Sequence, residues 1–352
     1  MKILSVVGAR PQFIKLGPLS RELRKFHEEI IIHTGQHYDH EMSDLFFNQL
    51  EIQKPDMNLA IGSASHGEQT GLMLAGIEKE IIRIKPDMVL SFGDTNSTLA
   101  ACLAASKLQV PSLHIEAGLR SFNRSMPEEI NRVVADHVAD LLFAPTQKAM
   151  YHLKNEGLAE KSLLTGDIMA DSVDFVQSKI GENKFEGRNY SLLTLHRPYN
   201  VDNPDELATV FDVLGQIETE FVFPVHPRTK SIISNNNIKH PPNITLLPPQ
   251  GYIEFQGLLK YADKVITDSG GLQKEAYIAG KPCITVRPET EWVETVEAGW
   301  NILKSFSDED FIEVFKTFNP LNSRPNLYGN NVAQLMVKEI NHFLLYQYFR
   351  IH

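Results

Sequence analysis

"KILSVVGARPQFIKLGPLSRELRKF", residues 2–26, carries the pattern on which the fold is read. A short apolar run meets Gly8 and then gives way to a helical stretch. A buried strand, a glycine turn and a helix, in that order, make one unit of a parallel α/β sheet. The same order recurs through "EEIIIHTG", "KPDMVLSFGD", "VPSLHIEAG" and "DLLFAPT", with helix-like segments such as "STLAACLAASKLQ" and "MPEEINRVVADHVA" between them. After "KSLLTGDIMADSVDFV" it starts again with "YSLLTLH", "EFVFPVHP", "NITLLPP", "DKVITDSGG" and "KPCITVR". The expected fold is α/β, with two Rossmann-like doubly wound domains facing a cleft. The expected domains are residues 1–168 and 169–334, with a linker near 165–185. A final helical run over 335–352 is expected to pack back on the N-terminal domain.

A chain of 352 residues is long enough for two cores of ordinary size. Its net charge of −10 argues against a nucleic-acid partner, whose binding surface is usually basic. The balance leaves room for an anionic small ligand held locally by arginines and backbone N–H groups. Cys102 and Cys283 sit in apolar settings without a CxxC motif, so both read as buried thiols. No apolar run approaches the ~20 residues of a membrane helix, and the N-terminus turns polar too soon for a signal peptide. The expected location is cytoplasmic, with no membrane partner.

Ligands of open α/β sheets bind at the C-terminal ends of the strands, so the polar residues there carry the weight. Gly8, Arg10 and Lys15 follow the first strand. Gly8 permits a tight turn, the helix start offers N–H groups to an anion, and the two cations add charge. The segment is neither GxGxxG nor a P-loop, which weakens a nicotinamide or ATPase reading. Asp94 in "SFGDTNSTLA", Glu116 in "HIEAGLR" and Glu128 in "SMPEEINR" are carboxylates at the ends or starts of neighbouring elements, a pattern suited to acid–base chemistry. Helix capping would explain Asp94 equally well, and favourable helix-dipole placement would explain one of Glu128 and Glu129. A hard cation on the three carboxylates is the weaker reading. His33, His37, His40 and His114 lack zinc spacing, so no metal is expected.

In the second half, "ITDSGGLQKEA" forms a strand-to-helix turn rich in N–H groups. Ser269, Gly270 and Gly271 suit a diphosphate, and Glu275 one turn later suits a ribose. Arg287 and His226 end two further strands. His196, in "TLHRPYNVDNP" (194–204), ends the first strand of this half.

Together these segments resemble the non-hydrolysing UDP-N-acetylglucosamine 2-epimerases. "GARPQFIK", "FGDTNSTLA", "HIEAGLR", "PEEINR", "FAPT", "PVHP", "TDSGGLQKEA" and "KPCITVR" run in family order from residue 8 to about 300. The resemblance implies a fold like that of GT-B glycosyltransferases, a homodimer and no cofactor. It implies reversible inversion at C2 of a UDP-linked 2-acetamido sugar, through loss of UDP, a 2-acetamidoglucal-like intermediate and re-addition. It gives Asp94, Glu116, Glu128 and His196 catalytic roles. It gives Arg10, Lys15, His226, Ser269, Gly270, Gly271, Glu275 and Arg287 to the substrate. A mannosamine-type product would feed polysaccharide biosynthesis.

The chain departs from the common family pattern in three places. "LHRPYN" stands where glycine, histidine, Arg-Arg-Glu is usual. Trp292 and Val293 replace the arginine and proline of Thr-Glu-Arg-Pro-Glu, and Gln12 replaces a glutamate. These departures resemble the branch acting on UDP-2,3-diacetamido-2,3-dideoxyglucuronate. Trp292 would either reshape the pocket for an altered sugar or sit behind the uridine. A hydrolysing 2-epimerase, a glycosyltransferase and a non-catalytic nucleotide-sugar binder are the rival readings.

Overall fold

The computed structural model of the protein describes residues 1–36, 47, 50–181 and 185–351. His37 and His40 lie outside them. The chain divides into two compact units, residues 1–172 with 327–352, and residues 173–326. Residues 169–172 and 327–334, placed in the second domain from the sequence, belong to the first unit.

In the first unit the described strands are β1 (Lys2–Val7), β2 (Glu28–His33), β3 (Met57–Asn58), β4 (Met88–Phe92), β5 (Ser112–Ile115), β6 (Leu141–Ala144) and β7 (Ser162–Leu164). All pair in parallel, in the order β3-β2-β1-β4-β5-β6-β7. The sequence pattern did not reveal β3 and β7. They are two- and three-residue edge strands, too short and too exposed to show a period. Helices cover the central strands. The Asn96–Lys107 helix turns Ala100, Ala101, Ala104 and Ala105 toward Met73, Ile77 and Ile81 of the His66–Ile84 helix. Those small side chains let the two helices approach closely, and leucine at Ala104 would overpack the contact by about 1–3 kcal/mol.

The C-terminal Val332–Ile351 helix returns to this unit through named contacts. The Asp171 carboxylate accepts the N–H groups of Val332 and Ala333 at 3.0 and 2.7 Å, filling orphan donors at the helix start. His27 and Asn341 meet at 2.7 Å.

The second unit has β8 (Tyr190–Thr194), β9 (Glu220–Pro224), β10 (Ile244–Leu247), β11 (Lys264–Thr267), β12 (Cys283–Thr285) and β13 (Asn301–Leu303), parallel in the order β10-β9-β8-β11-β12-β13. Residues alternate between two cores. Phe221, Phe223, Ile266 and Ile284 enter one, and Val222, Val265 and Cys283 enter the other. Burial on both faces explains why these strands read as unbroken apolar runs. Truncating Phe221 to alanine would cost about 3–5 kcal/mol. Both cysteines are buried, and burial pushes each thiol up to about 12.

Strand order reverses between β1 and β4 in the first sheet and between β8 and β11 in the second. Such a switch point opens a crevice at the strands' C-terminal ends. The polar strand-end residues singled out above follow β1, β4 and β5 in one unit and β8, β9, β11 and β12 in the other.

Candidate active site

The turn after β1 differs from its sequence reading. The Gln12 side chain takes the N–H groups of Gly8 and Ala9 at 2.7 and 3.0 Å. Its amide nitrogen donates to the Phe92 carbonyl at 2.7 Å and reaches the Thr95 and Thr98 hydroxyls. Two backbone donors of this turn, those of Gly8 and Ala9, are therefore already occupied. Gly8 is required for close approach: a Cβ there would stand 2.1 Å from Thr34 Oγ1 and 2.3 Å from Ser97 Oγ. Arg10 is the first residue of the Arg10–Leu23 helix and stays half-buried.

Lys15, on the same helix, is buried and forms a direct ion pair with Glu116 at the end of β5. Glu116 has φ +71°, a left-handed conformation rare for a residue with a Cβ. Gly93 at the end of β4 makes room for the pair: a Cβ there would lie 3.2 Å from Glu116 Oε2 and 3.4 Å from Lys15 Nζ. The next residue, Asp94, is ion-paired with Arg132, whose other nitrogen reaches Glu129 at 3.0 Å. Burial works against the Arg132 charge, but Asp94 and Glu129 more than offset it and raise its pKa.

The structure separates Glu128 from Glu129. Glu129 is buried and accepts the Ser121 N–H, the Ser121 hydroxyl and the Phe122 N–H, each at 2.9 Å. Burial opposes its charge, yet these donors and Arg132 hold its pKa below the usual range. Glu128 is exposed at the start of the Pro127–Val138 helix.

In the second unit, His196 follows β8 with its side chain 44% exposed and Nδ1 3.0 Å from Asp268 Oδ1. Asp268, fully buried after β11, also accepts the N–H groups of His196 and Arg197 and the Asn200 amide at 2.9–3.1 Å. Burial raises the cost of its charge, and these donors outweigh it and depress its pKa. Ser269 caps the Gly270–Ile278 helix, its hydroxyl oxygen accepting the Leu272 N–H. Gly271 beside it is exposed, with nothing within 4 Å of where a Cβ would stand.

Glu275 accepts from the buried amide of Gln256 at 2.5 Å. Arg287 pairs with Glu291 at 2.9 Å, and the same carboxylate lies over Gly270. His226 is an exposed N-cap whose Nδ1 accepts the Arg228 N–H at 3.3 Å. Trp292 is 6% exposed inside the second unit, with Lys274 Nζ 4.3 Å from its ring centroid.

Asp268, Arg132, Gln256 and Glu129 were not assigned site roles from the sequence. Asp268 carried a usable signal, a lone carboxylate directly after the apolar "KVIT", matching Glu116 after "SLHI". Gln256 carried none, since it sits mid-helix in an apolar segment. Among the described residues, no group of three or more His, Cys, Asp or Glu side chains is placed to hold a metal ion.

A family model described as UDP-N-acetylglucosamine 2-epimerase matches residues 21–340. The chain belongs to the UDP-N-acetylglucosamine 2-epimerase family. It is 47% identical to a UDP-N-acetylglucosamine 2-epimerase homolog of Methanococcus maripaludis, over 97% of this chain and 99% of that one. It is 46% identical to the UDP-2,3-diacetamido-2,3-dideoxy-D-glucuronate 2-epimerase of Pseudomonas aeruginosa, over 96% of this chain and 99% of that one. The crystal structure of the Methanocaldococcus jannaschii UDP-GlcNAc 2-epimerase, in complex with UDP-GlcNAc and UDP, superposes with a TM-score of 0.83 at 41% identity, covering 97% of this chain and all of that one. This 2-epimerase-family chain thus matches its relatives along nearly its whole length, through both units.

Proposed function

We propose that the protein catalyses reversible C2 epimerisation of a UDP-linked 2-acetamido sugar, UDP-N-acetylglucosamine to UDP-N-acetylmannosamine. The supporting observation is the convergence of Lys15, Asp94 and Glu116 at the switch point of one sheet, in a chain of this family. In the first step a carboxylate of the set Asp94, Glu116 and Glu128 takes the C2 proton. The C1–O bond breaks toward UDP, and C1=C2 forms. In the return step a proton reaches the opposite face of C2 while a β-phosphate oxygen attacks C1. Nothing is oxidised or reduced overall.

Charge develops on the departing diphosphate, where N–H donors and cations help most. Ser269, Gly270 and Gly271 at a helix N-terminus, with Arg287, His196 and His226, are assigned to that group, and Glu275 to the ribose. Arg10 and Lys15 are assigned to the sugar and phosphates. No cofactor is required by this scheme. Among the described residues no helix is long and apolar enough to cross a membrane. A homodimer is part of the proposal. It rests on the family resemblance, and molar mass by light scattering tests it.

A second substrate is favoured by one comparison. The 46% identity to the diacetamido-glucuronate enzyme exceeds that to the UDP-N-acetylglucosamine enzymes of Methanocaldococcus jannaschii and Methanococcus maripaludis, at 43% and 44%. Incubation with each UDP-sugar in D2O, read by proton NMR, tests both. Deuterium at C2 identifies the substrate. Accumulation of UDP and free sugar would favour a hydrolysing enzyme, and transfer only with an added acceptor a glycosyltransferase. UDP binding with no exchange at C2 of either sugar would overturn the proposal in favour of a binding protein.

A further inference from the structure

We propose that Asp136 is a positioning residue for two of the carboxylates assigned to the reaction, Asp94 and Glu116. This rests on reading Asp94 and Glu116 as the acid–base residues. Asp136 projects from the Pro127–Val138 helix and is fully buried. Its Oδ1 lies 2.7 Å from His114 Nδ1. Its Oδ2 accepts the Gly118 N–H at 3.0 Å and Arg120 Nη1 at 2.7 Å. His114, fully buried on β5, carries the connection onward: its Nε2 lies 2.6 Å from the Gly93 carbonyl. One carboxylate thus holds residues 114 and 118 on either side of Glu116. Through the imidazole it also holds the residue before Asp94.

These contacts fall where they are needed. The left-handed conformation of Glu116 persists only where its surroundings hold it. Asp136 fixes both flanks of that turn, and Gly93 is the residue whose missing Cβ leaves space for the Glu116–Lys15 pair. Histidine is required in the relay. Nδ1 faces a carboxylate and Nε2 a carbonyl, so one planar ring spans the gap between the two acceptors. Arg120 completes the cluster with two bonds of 2.7 Å to Glu156, balancing the buried charge. A buried charge cluster is a poor way to gain stability, since apolar residues of the same volume do as well or better. Here its bonds converge on the backbone that aims Asp94 and Glu116.

The test is Asp136→Asn, of nearly equal volume, assayed with UDP-N-acetylglucosamine and the diacetamido uronate alongside UDP affinity by calorimetry and a thermal scan. Misplacing the reacting groups is expected to lower kcat on the order of 100-fold. UDP Kd, to which the second unit is assigned most of the contacts, should stay within about twofold. His114 variants separate the two bonds. His114→Gln keeps a donor near Nε2, toward Gly93, while His114→Asn keeps one near Nδ1, toward Asp136. Gln is expected to retain the higher kcat at equal stability. Wild-type kcat in Asp136→Asn would overturn the proposal, as would a parallel fall in kcat, UDP affinity and folded fraction. If Asp136→Asn does not fold, His114→Gln performing no better than His114→Asn overturns it. Full turnover in Asp94→Asn and Glu116→Gln would instead sink the underlying site reading.

Discussion

His196 Nδ1 lies 3.0 Å from Asp268 Oδ1, and the same carboxylate accepts the backbone N–H of His196. Ring and main chain are held by one fully buried group, so the half-exposed imidazole has a fixed direction. Asp268→Asn is expected to keep the fold and misdirect the ring, because its NH2 group then faces donors. The expected result is a kcat loss on the order of 100-fold with about 1–3 kcal/mol of stability lost. Paired kinetics and urea denaturation check it. The folded-state pKa of Asp268 is depressed, so its stabilisation is present above the ordinary carboxylate range and is lost as pH falls through the folded value. Wild type should therefore lose more stability than Asp268→Asn on acidification below about pH 4.

His33 at the end of β2 gives a separate pH dependence. Burial lowers its pKa to about 4, and its Nδ1 accepts the Gly35 N–H at 2.7 Å. The unfolded chain binds a proton at this ring near pH 6.5, before the folded chain does, so stability is lost as pH falls from about 6.5 toward 4. The expected loss between pH 7.5 and 5 is about 2 kcal/mol. His33→Asn keeps an acceptor for Gly35 and should flatten that part of the pH–stability curve in denaturant titrations.

The adjacent glutamates should separate by assay. Glu129→Ala removes a buried carboxylate with three N–H or O–H donors and Arg132 against it, and is expected to cost about 2–3 kcal/mol. Glu128→Gln, at an exposed position, should leave the melting temperature unchanged and lower turnover. Equal melting temperatures for both variants would contradict this division.

Gly271→Ala should have opposite effects on stability and binding. No atom lies within 4 Å of the new Cβ, and alanine is a better helix former than glycine, so stability should rise by up to about 1 kcal/mol. The proposed diphosphate needs that open space, so UDP Kd, read by calorimetry, should weaken. A variant that binds UDP as well as wild type would place the diphosphate elsewhere.

Particular residues show how far local pattern reaches. The run "KILSVVG" followed by a helix, and its repeats, encode parallel strands buried on both faces, because such strands are short and apolar and end in polar turns. Strand ends mark the crevice of a doubly wound sheet, so Asp94, Glu116, His196 and Ser269 were visible as candidates from position alone. The edge strands β3, β7 and β13 were not visible, since two or three residues make no period.

The sequence by itself determined the alternation of elements, the strand-end candidates and the family. Only the tertiary structure decided their partners. Lys15 meets Glu116 across 101 residues, and Asp268 meets His196 across 72. It also closed the Gly8 turn with Gln12, made Glu129 the buried member of its pair, and returned the last helix to the first unit through Asp171. Periodicity reports which face of an element is buried. It carries no information on which distant donor a buried carboxylate will find.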